Sequence, residues 1–235
     1  MDEHHLTRDE QFDLELLYDA VWYQQWVLEA LGPIEGVVAE VGAGNGNFTR
    51  WIAMRAKRVL AVEPHDELAD RIERHKIPGV ELVRSRVEDL AGVVEADMAV
   101  SINVLEHIDD DVSALRAIKA LVKPGGKIAI LVPAHQALFG ELDKRYHHIR
   151  RYSKRMVRDR LGLAGIEVER VRYFNPLGAI GWLVFVRLLG RTRLSRSSVR
   201  LSERIAVPLG RSLELLGFHP FGQSVVGIGR RPVSD

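Results

Sequence analysis

An apolar strand that runs directly into a glycine-rich turn is the feature that most constrains this chain. Residues 37–41 are apolar apart from Glu40, and glycine then occupies every second position from Gly42 to Gly46. Because glycine has no Cβ, the backbone of such a turn can pass directly under a ligand. An acidic residue, Glu63, follows the next apolar run, 17 residues after Gly46. This combination predicts a nucleoside-binding site at the end of a buried strand.

Short apolar runs alternate with helical patterns over most of the chain. Strand-like runs occur at residues 37–41, 58–62, 80–84, 97–102, 127–132, 166–172 and 224–230. Nearly continuous apolar strands that alternate with helices are typical of a parallel sheet covered on both faces. The pattern therefore predicts an α/β protein with a Rossmann-like, doubly wound, seven-stranded and mostly parallel sheet. We also expect a helix over residues 8–31 that ends at Gly32-Pro33, and a helix over residues 111–122 that is terminated by residues 123–126.

Composition excludes several classes of site. The 235 residues contain no cysteine, which rules out disulfides, thiolate catalysis and cysteine metal sites. Hydrophobic residues make up 46% and the formal net charge is +1, as in an ordinary globular enzyme without a strong field for nucleic acid. The polar start of the chain shows no signal peptide, so we expect a cytoplasmic protein.

Four motifs then occur in a fixed order. They are Glu40-x-Gly42-x-Gly44-x-Gly46, the acid Glu63 after the second strand, Ser101-Ile102-Asn103-Val104-Leu105-Glu106-His107-Ile108 after the fourth, and Lys123-Pro124-Gly125-Gly126-Lys127 before the fifth. In this order they resemble class I S-adenosylmethionine-dependent methyltransferases of the small-molecule type, and the resemblance covers residues 34–230. A Rossmann-like enzyme without methyl transfer stays open as an alternative, since this fold hosts many chemistries.

The resemblance implies roles for the cofactor residues. The three glycines would line the methionine and ribose parts of S-adenosylmethionine, and Glu63 would accept both ribose hydroxyls. At the adenine, Arg86 stands where many relatives have aspartate, so we place the backbone of Val87 first, with Glu88 or Asp89 as alternatives. The full predicted cofactor set is Glu40, Gly42, Ala43, Gly44, Gly46, Glu63, Pro64, Val87, Glu88, Asn103 and Val104.

A histidine-rich segment after the fifth strand is the predicted acceptor site. Relatives often carry a Leu-Asp…Gly-His-x-Arg-Arg-Tyr pattern there, and this chain matches it at residues 142–143 and 148–152, with His147 in place of the glycine. A hydroxyl acceptor needs a base that works near pH 7, and histidine suits that role. His135 is a further histidine candidate. The predicted catalytic residues are His147, His148, His107 and Asp143, and the predicted substrate-binding residues are Tyr146, Arg150, Arg151 and Tyr152.

Two other interpretations of this segment stay open. Asp143 could pair with an arginine while the histidines solvate a loop. A divalent cation could bind His147 and His148 with help from Asp143 and Glu141, although no metal site is predicted because the helical spacing of ligand pairs is missing.

The chain is predicted to be one domain over residues 1–235. Residues 1–33 form a helical cap, residues 34–133 a cofactor-binding half, and residues 134–235 an acceptor-binding half with a helical insertion at 175–215. Within the insertion, the apolar stretch 176–190 is about 15 residues long and thus shorter than the roughly 20 that a membrane span needs. We predict a buried or interface helix there, with membrane-surface contact as the alternative. The basic run 191–200 is predicted to be a mobile, solvated segment, with contact to phosphate or an anionic surface as the alternative.

The predicted function is transfer of a methyl group from S-adenosylmethionine to a hydroxyl of a small polar acceptor, with a histidine as the general base. A sugar or polysaccharide precursor is the favoured acceptor because arginines, tyrosines and histidines crowd the acceptor end, and the resemblance suggests 1-O-methylation of methylmannose polysaccharide as a similar reaction. The alternatives are a quinone, lipid or other natural-product methyltransferase, and a non-catalytic cofactor-binding module. We predict a small-molecule partner, no nucleic acid and no stable membrane insertion, and we leave a homodimer open.

Overall fold

The computed structural model describes residue 13 and residues 15–90, 95–191, 195–217 and 219–234. Its strands are β1 Val37–Val41, β2 Arg58–Val62, β3 Val80–Val83, β4 Ala96–Ile102, β5 Val122–Pro133, β6 Glu167–Phe174 and β7 Ser224–Arg230. Its α-helices are α1 Val21–Leu31, α2 Thr49–Ala53, α3 Asp66–His75, α4 Asp111–Ala120, α5 Glu141–Arg145, α6 Lys154–Leu163, α7 Pro176–Gly181, α8 Arg196–Leu201 and α9 Val207–Leu215.

The seven strands form one sheet in the order β3-β2-β1-β4-β5-β7-β6. All neighbours are parallel except β7, which is antiparallel to both β5 and β6. The predicted seven-stranded, mostly parallel, Rossmann-like sheet is confirmed. The strand order reverses between β1 and β4, and ligands of such sheets bind in the crevice at the carboxyl ends of the strands on either side of this point.

Apolar side chains cover both faces of the sheet. On one face, Leu60 and Ile130 belong to the same buried cluster as Leu115 of α4 and Leu161 of α6. On the other face, Val38 clusters with residues of α1, α2 and α9, among them Trp26, Ile52 and Val207. Side chains alternate across a strand, so each strand contributes to both clusters. Helices on both faces are therefore confirmed.

The predicted helix over residues 8–31 is wrong as one continuous element. Residues 15–18 are helical, but the backbone breaks at Asp19 and Ala20 before α1 begins at Val21. The side chain of Glu203 caps the start of α1, since its two carboxylate oxygens accept the backbone N–H groups of Trp22 and Tyr23 at 2.8 and 2.9 Å. Residues 8–12 and 14 lie outside the described residues.

The segment Lys123–Gly126 was predicted to end a helix and instead forms a bulge in β5. Helix α4 already ends at Ala120, and the register moves from Ala96 opposite Val122 to Met98 opposite Lys127. Gly125 adopts a φ of 77°, which only glycine reaches without strain. The bulge absorbs the extra residues of β5 relative to β4.

The prediction of a buried helix over residues 176–190 is wrong, because this segment carries some of the most exposed apolar side chains of the protein. Helix α7 continues into π-helical turns at Trp182–Leu188, where Phe185 is 48% exposed and Leu188 is 70% exposed. The interface part of that prediction stays untested. No helix among the described residues has the length and apolarity to cross a membrane.

The described residues of the basic run, 191 and 195–200, are exposed apart from the partly buried Val199, and residues 196–200 belong to a helix. Ser195 caps α8 by accepting the N–H of Ser198, and the Ser198 hydroxyl in turn accepts the N–H of Ser195. This reciprocal capping satisfies donors that would otherwise be unpaired at the start of a helix. Residues 192–194 lie outside the described residues. The domain boundaries given above stay predictions.

Candidate cofactor and acceptor site

The glycine turn after β1 has three left-handed residues, with φ of 74° at Gly42, 59° at Gly44 and 83° at Gly46. The three positions serve different purposes. A Cβ on Gly42 would stand 2.3 Å from Cγ2 of Val104, whereas a Cβ on Gly44 would meet nothing within 4 Å. Gly42 is therefore required by packing, and Gly44 is the glycine that leaves open space for a ligand.

Glu63, at the end of β2, ties this turn in place. It is 3% exposed, and its Oε2 accepts the N–H of Gly44 at 2.7 Å while Oε1 accepts the N–H of His65 at 3.0 Å. Burial raises the pKa of Glu63, and the two backbone N–H groups oppose that rise. A carboxylate oxygen can accept more than one hydrogen bond, so both oxygens retain capacity for ribose hydroxyls.

Glu40, at the carboxyl end of β1, is a buried carboxyl whose hydrogen-bonding capacity is incompletely used. It is 4% exposed, and its Oε2 has no hydrogen-bond partner among the described residues. Burial raises the pKa of Glu40 to about 8, and the nearby Glu63 adds to the rise. A positively charged ligand group would stabilise its ionised form. S-adenosylmethionine carries a sulfonium and an ammonium, so these residues fit it.

The other predicted cofactor residues lie around the same edge. Asn103 follows β4 with a φ of 53°, and its N–H donates to the carbonyl of Leu131 at 2.8 Å. Val87 is buried at the start of a short 3-10 helix after β3, whereas Glu88 and Pro64 are exposed. The contacts of each with the cofactor stay predictions.

On the acceptor side, Asp143 joins a histidine and an arginine. Its Oδ1 lies 2.9 Å from Nδ1 of His148 and accepts Nε–H of Arg151 at 2.7 Å. Asp143 is fully buried and Arg151 is 2% exposed. Burial acts to raise the pKa of Asp143, but the bonds from His148 and Arg151 outweigh it and hold this pKa below its usual value. Asp143 is thus an ionised group that orients the His148 ring.

Glu106 lies on the other side of that ring. It is fully buried, its Oε1 is 3.9 Å from Nε2 of His148, and neither of its carboxylate oxygens has a hydrogen-bond partner among the described residues. Burial raises the pKa of Glu106 to about 8. His107 completes the group, with its ring centroid 4.9 Å from that of His148 and the two planes at 78°. Desolvation, which disfavours the charged imidazolium, and the neighbouring His148 lower the pKa of His107 to about 4.

Sequence reasoning quoted Glu106 only as part of a family motif and missed it as a site residue. The signal that could have found it was its place between Leu105 and His107, directly after a predicted buried strand. A carboxylate beside a histidine at the carboxyl edge of a parallel sheet is a candidate for site chemistry.

The predicted histidines separate in the structure. His147 is exposed and has a φ of 56°, which explains why relatives carry glycine at this position. Its backbone contributes to the site through a hydrogen bond with the His107 ring, which raises the His107 pKa slightly against the larger lowering effects. His135 lies elsewhere, with its ring stacked on Tyr173 at a centroid distance of 4.7 Å.

The side chains predicted to bind substrate have partners within the protein. The Tyr152 hydroxyl donates to Asp111 at 3.0 Å, and Arg150 pairs with the same carboxylate at 3.0 Å. The Tyr146 hydroxyl donates to Asp13 at 2.7 Å. With Arg151 on Asp143, all four polar groups are already engaged, and their contact with an acceptor stays a prediction.

The N-terminal segment bridges the two halves of the site. Asp13 bonds Tyr146 beside the acceptor cluster, while the Tyr18 ring stacks on His75 at 5.2 Å and lies 3.7 Å from the Arg50 guanidinium. His75 in turn approaches the glycine turn, since it would lie 3.8 Å from a Cβ on Gly46. That residues 1–33 cap the site stays a prediction.

Residues 39–130 match the family described as a methyltransferase domain, and they contain the glycine turn, Glu63, Asn103 and Glu106. This match is to a methyltransferase domain and agrees with the class I S-adenosylmethionine-dependent methyltransferases that the motifs resemble. Similar solved structures hold S-adenosylmethionine or SAH, the cofactor class that the sequence predicts for this chain.

Curated relatives of this methyltransferase include ubiquinone biosynthesis O-methyltransferases. The protein from Acinetobacter baylyi is 29% identical over 110 residues, which cover 44% of this chain and 46% of that protein. The protein from Xanthomonas axonopodis pv. citri is 27% identical over 191 residues, covering 73% of this chain and 78% of that protein. In most of these matches the chain spans about half the length of the relative.

Solved structures share the fold of this methyltransferase. A complex of DhpI with SAH has a TM-score of 0.60 at 17% identity and covers 96% of this chain and 92% of that chain. An S-adenosylmethionine-dependent methyltransferase from Mesorhizobium loti has a TM-score of 0.61 at 17% identity, covering 92% and 100%. At such identities the likeness concerns the fold alone.

Proposed function

We propose that this methyltransferase methylates a hydroxyl group of a small acceptor and that His148 removes the hydroxyl proton. The observation that carries this proposal is the 2.9 Å contact between Nδ1 of His148 and buried Asp143. An ionised carboxylate accepts the Nδ1 proton, so the lone pair of a neutral ring lies on Nε2. That nitrogen faces away from Asp143 and is the basic atom available to an acceptor.

The cofactor supplies an electrophilic methyl group on a sulfonium sulfur. The residues of the chain then have three tasks, which are to hold the cofactor, align the acceptor and take one proton. Gly44 and Glu63 form the ribose end of the cofactor site, and Nε2 of His148 takes the proton as the acceptor oxygen forms its bond to the methyl carbon. Alignment of the reacting atoms accounts for much of the rate in such displacements.

The reaction proposal can be tested with His148→Gln. This variant should lower kcat about 100-fold or more, the range expected for loss of a general base. The dissociation constant for the cofactor should change less than threefold. His219→Gln is the matched control. It also removes an imidazole, but from a histidine that lies beside Arg172 of β6, in another part of the protein. Unchanged kcat in His148→Gln would contradict the proposal.

We further propose that the acceptor is amphiphilic, with an apolar tail. The support is the pair of consecutive helical segments that expose apolar side chains next to arginines. Ile180, Leu183 and Val184 are 37–47% exposed in the first segment, and Leu201 and Ile205 are 58% and 51% exposed in the second. Groups of exposed apolar side chains on the surface of a protein often mark an interaction site. The names of the ubiquinone relatives agree with such an acceptor.

A sugar acceptor, the class favoured by sequence analysis, remains the competing prediction. It would need free polar groups on the acceptor side, but the tyrosines and arginines predicted for that role bond within the protein. The two acceptor classes are separable by one comparison. Turnover should be higher on a catechol with a long alkyl chain than on unsubstituted catechol, and methyl incorporation into hexoses or mannose oligosaccharides should be absent. The reverse order of activity would contradict an amphiphilic acceptor.

The exposed helical face has its own test. The double variant Leu188→Glu with Leu189→Glu should reduce sedimentation with anionic phospholipid vesicles and raise KM for the long-chain catechol. Met54→Glu is the matched control. Met54 is an apolar residue that is 75% exposed, and it lies after α2, far from residues 188 and 189 in the sequence. Equal behaviour of both variants would show that the face has no role in acceptor binding.

A further inference from the structure

We propose that Glu106, His107 and His148 bind a divalent metal ion. Each side chain offers one ligand atom, and these atoms all lie within 4.8 Å of one another. The three residues come from two separate parts of the chain, the 3-10 turn after β4 and the loop after α5. This inference rests on the proposed function only for its chemical consequence, because metal binding itself can be measured without an acceptor.

The first argument is the state of Glu106. Its side chain is fully buried, and neither carboxylate oxygen has a hydrogen-bond partner among the described residues. A buried polar group without a partner is costly and is normally paired or bound to a metal. One carboxylate oxygen of Glu106 lies within 4.8 Å of a ring nitrogen of each histidine, so a cation at this place would satisfy the carboxylate and use those nitrogens as well.

The second argument is the support behind His148. Metal-binding histidines almost always donate their other ring N–H to a carboxylate or carbonyl, which fixes the ring and directs the free nitrogen at the ion. Here Asp143 lies 2.9 Å from Nδ1 of His148, and Arg151 holds the same oxygen of Asp143 at 2.7 Å. Nε2 is then the nitrogen near Glu106, at 3.9 Å from Oε1.

The distances and donor types restrict the ion. With bonds of about 2 Å, neighbouring ligands of a tetrahedral zinc ion stand about 3.3 Å apart. The His148–Glu106 pair at 3.9 Å needs only a small side-chain movement to reach that spacing. Two imidazoles and one carboxylate suit a first-row ion such as Zn²⁺, Mn²⁺ or Fe²⁺ better than Ca²⁺. Three protein ligands also leave coordination positions for water or an acceptor.

A cation here would change how the acceptor hydroxyl loses its proton. Metal ions lower the pKa of oxygen ligands by several units, so an acceptor hydroxyl at an open position would release its proton to solvent near neutral pH. The acceptor oxygen would then form its bond to the methyl carbon as the carbon–sulfur bond of the cofactor breaks. In this case Nε2 of His148 holds the ion instead of taking the proton, so the inference keeps hydroxyl methylation from the proposed function and replaces the role of His148 as base.

The test is metal binding by the 235-residue chain after dialysis against a chelator. Titration with Co²⁺, followed by its visible absorption, and calorimetry with Zn²⁺ should give one ion per chain. Glu106→Gln and His148→Gln should each weaken binding at least tenfold, and His107→Gln provides a third variant if one of these does not fold. Asp143→Asn should weaken binding 10–100-fold, as loss of an outer carboxylate does. His219→Gln should bind metal like the parent.

Each outcome decides one of the two proposals. Absence of stoichiometric binding, or equal affinity in Glu106→Gln and the parent, would overturn the metal site. If methyl transfer resists chelator while His148→Gln is inactive, the metal proposal fails and the proposed function stands. If the ion binds as described but no hydroxyl acceptor is methylated, the metal site stands and the proposed function fails.

Discussion

Gly42 lies against Val104 so closely that a Cβ on the glycine would stand 2.3 Å from Cγ2 of the valine. The two residues follow β1 and β4, the strands on either side of the point where strand order reverses. We therefore expect Gly42→Ala to destabilise the protein by about 1–3 kcal/mol through overpacking, with further cost from a φ of 74°. Val104→Ala should recover part of that loss in the double variant. Urea unfolding of the four proteins measures the coupling, and strictly additive effects would contradict the contact.

Gly44→Ala is the matched contrast to that variant, since a Cβ there meets nothing within 4 Å. Its unfolding free energy should fall by only about 1 kcal/mol, the cost of a left-handed alanine. Cofactor affinity should fall more than in Gly42→Ala with Val104→Ala, because the new methyl group occupies the open side of the turn.

Glu40 should make both stability and cofactor binding depend on pH. Its folded pKa is about 8 against an ordinary value of 4.5, so between these values the folded protein holds a proton that the unfolded chain has lost. The free energy of unfolding without cofactor should consequently decrease as pH rises from about 4.5 to about 8. Glu40→Gln should flatten this slope. A slope equal to that of the parent would show that Glu40 is not the group responsible.

The same carboxyl predicts a proton release on cofactor binding. The positive charge of S-adenosylmethionine favours ionised Glu40, so calorimetry at pH 7 in buffers of different ionisation enthalpy should detect protons released to the buffer. Glu40→Gln should release fewer.

Asp143 forms a salt bridge with Arg151 at 2.7 Å. Among the described residues it is the only carboxylate that does so. Asp143→Asn should destabilise the protein by about 3–5 kcal/mol, because it leaves a buried guanidinium without its counter-charge. The double variant Asp143→Asn with Arg151→Met should be more stable than Asp143→Asn alone, since both charges are then gone. Thermal unfolding followed by circular dichroism measures the difference, and a less stable double variant would contradict the pairing.

The backbone of His147 is left-handed, with a φ of 56°, which is a strained conformation for a residue other than glycine. Replacing it by glycine should raise the free energy of unfolding by up to about 1 kcal/mol, because glycine adopts this conformation without strain. The same variant also tests the sequence-based prediction that His147 is catalytic. A large loss of kcat in His147→Gly would support the imidazole of His147 as a base and weaken the assignment to His148.

Tyr146 holds the N-terminal segment to the acceptor side through its 2.7 Å bond to Asp13. Tyr146→Phe should loosen that segment and raise the dissociation rate of the cofactor several-fold, since the predicted cap would then hold the cofactor less firmly. Stopped-flow displacement of the cofactor product measures this rate. Asp13→Asn should have the same effect and should add little to Tyr146→Phe, and additive effects would argue against a shared contact.

Much of the fold could be predicted because its signals are local. Each strand is an apolar run of a few residues, and the periods of strand and helix can be read directly from neighbouring positions. The glycine turn, Glu63 and Asn103 could likewise be placed at one edge, since every parallel strand ends there. The predictions failed where a residue distant in the chain acts. Glu203, for example, accepts the N–H groups at the start of α1, a role that no residue next to the helix fills.

Local sequence patterns were enough to predict the mostly parallel sheet, the cofactor class and the histidine-rich segment after β5. Three contacts emerged only from the folded chain: Asp143 orients His148 rather than His147, Glu106 is buried beside that ring, and Tyr146 bonds Asp13. The physical reason is that burial and pairing of a charged group depend on residues far apart in the chain, which meet only when the sheet and its loops have closed around them.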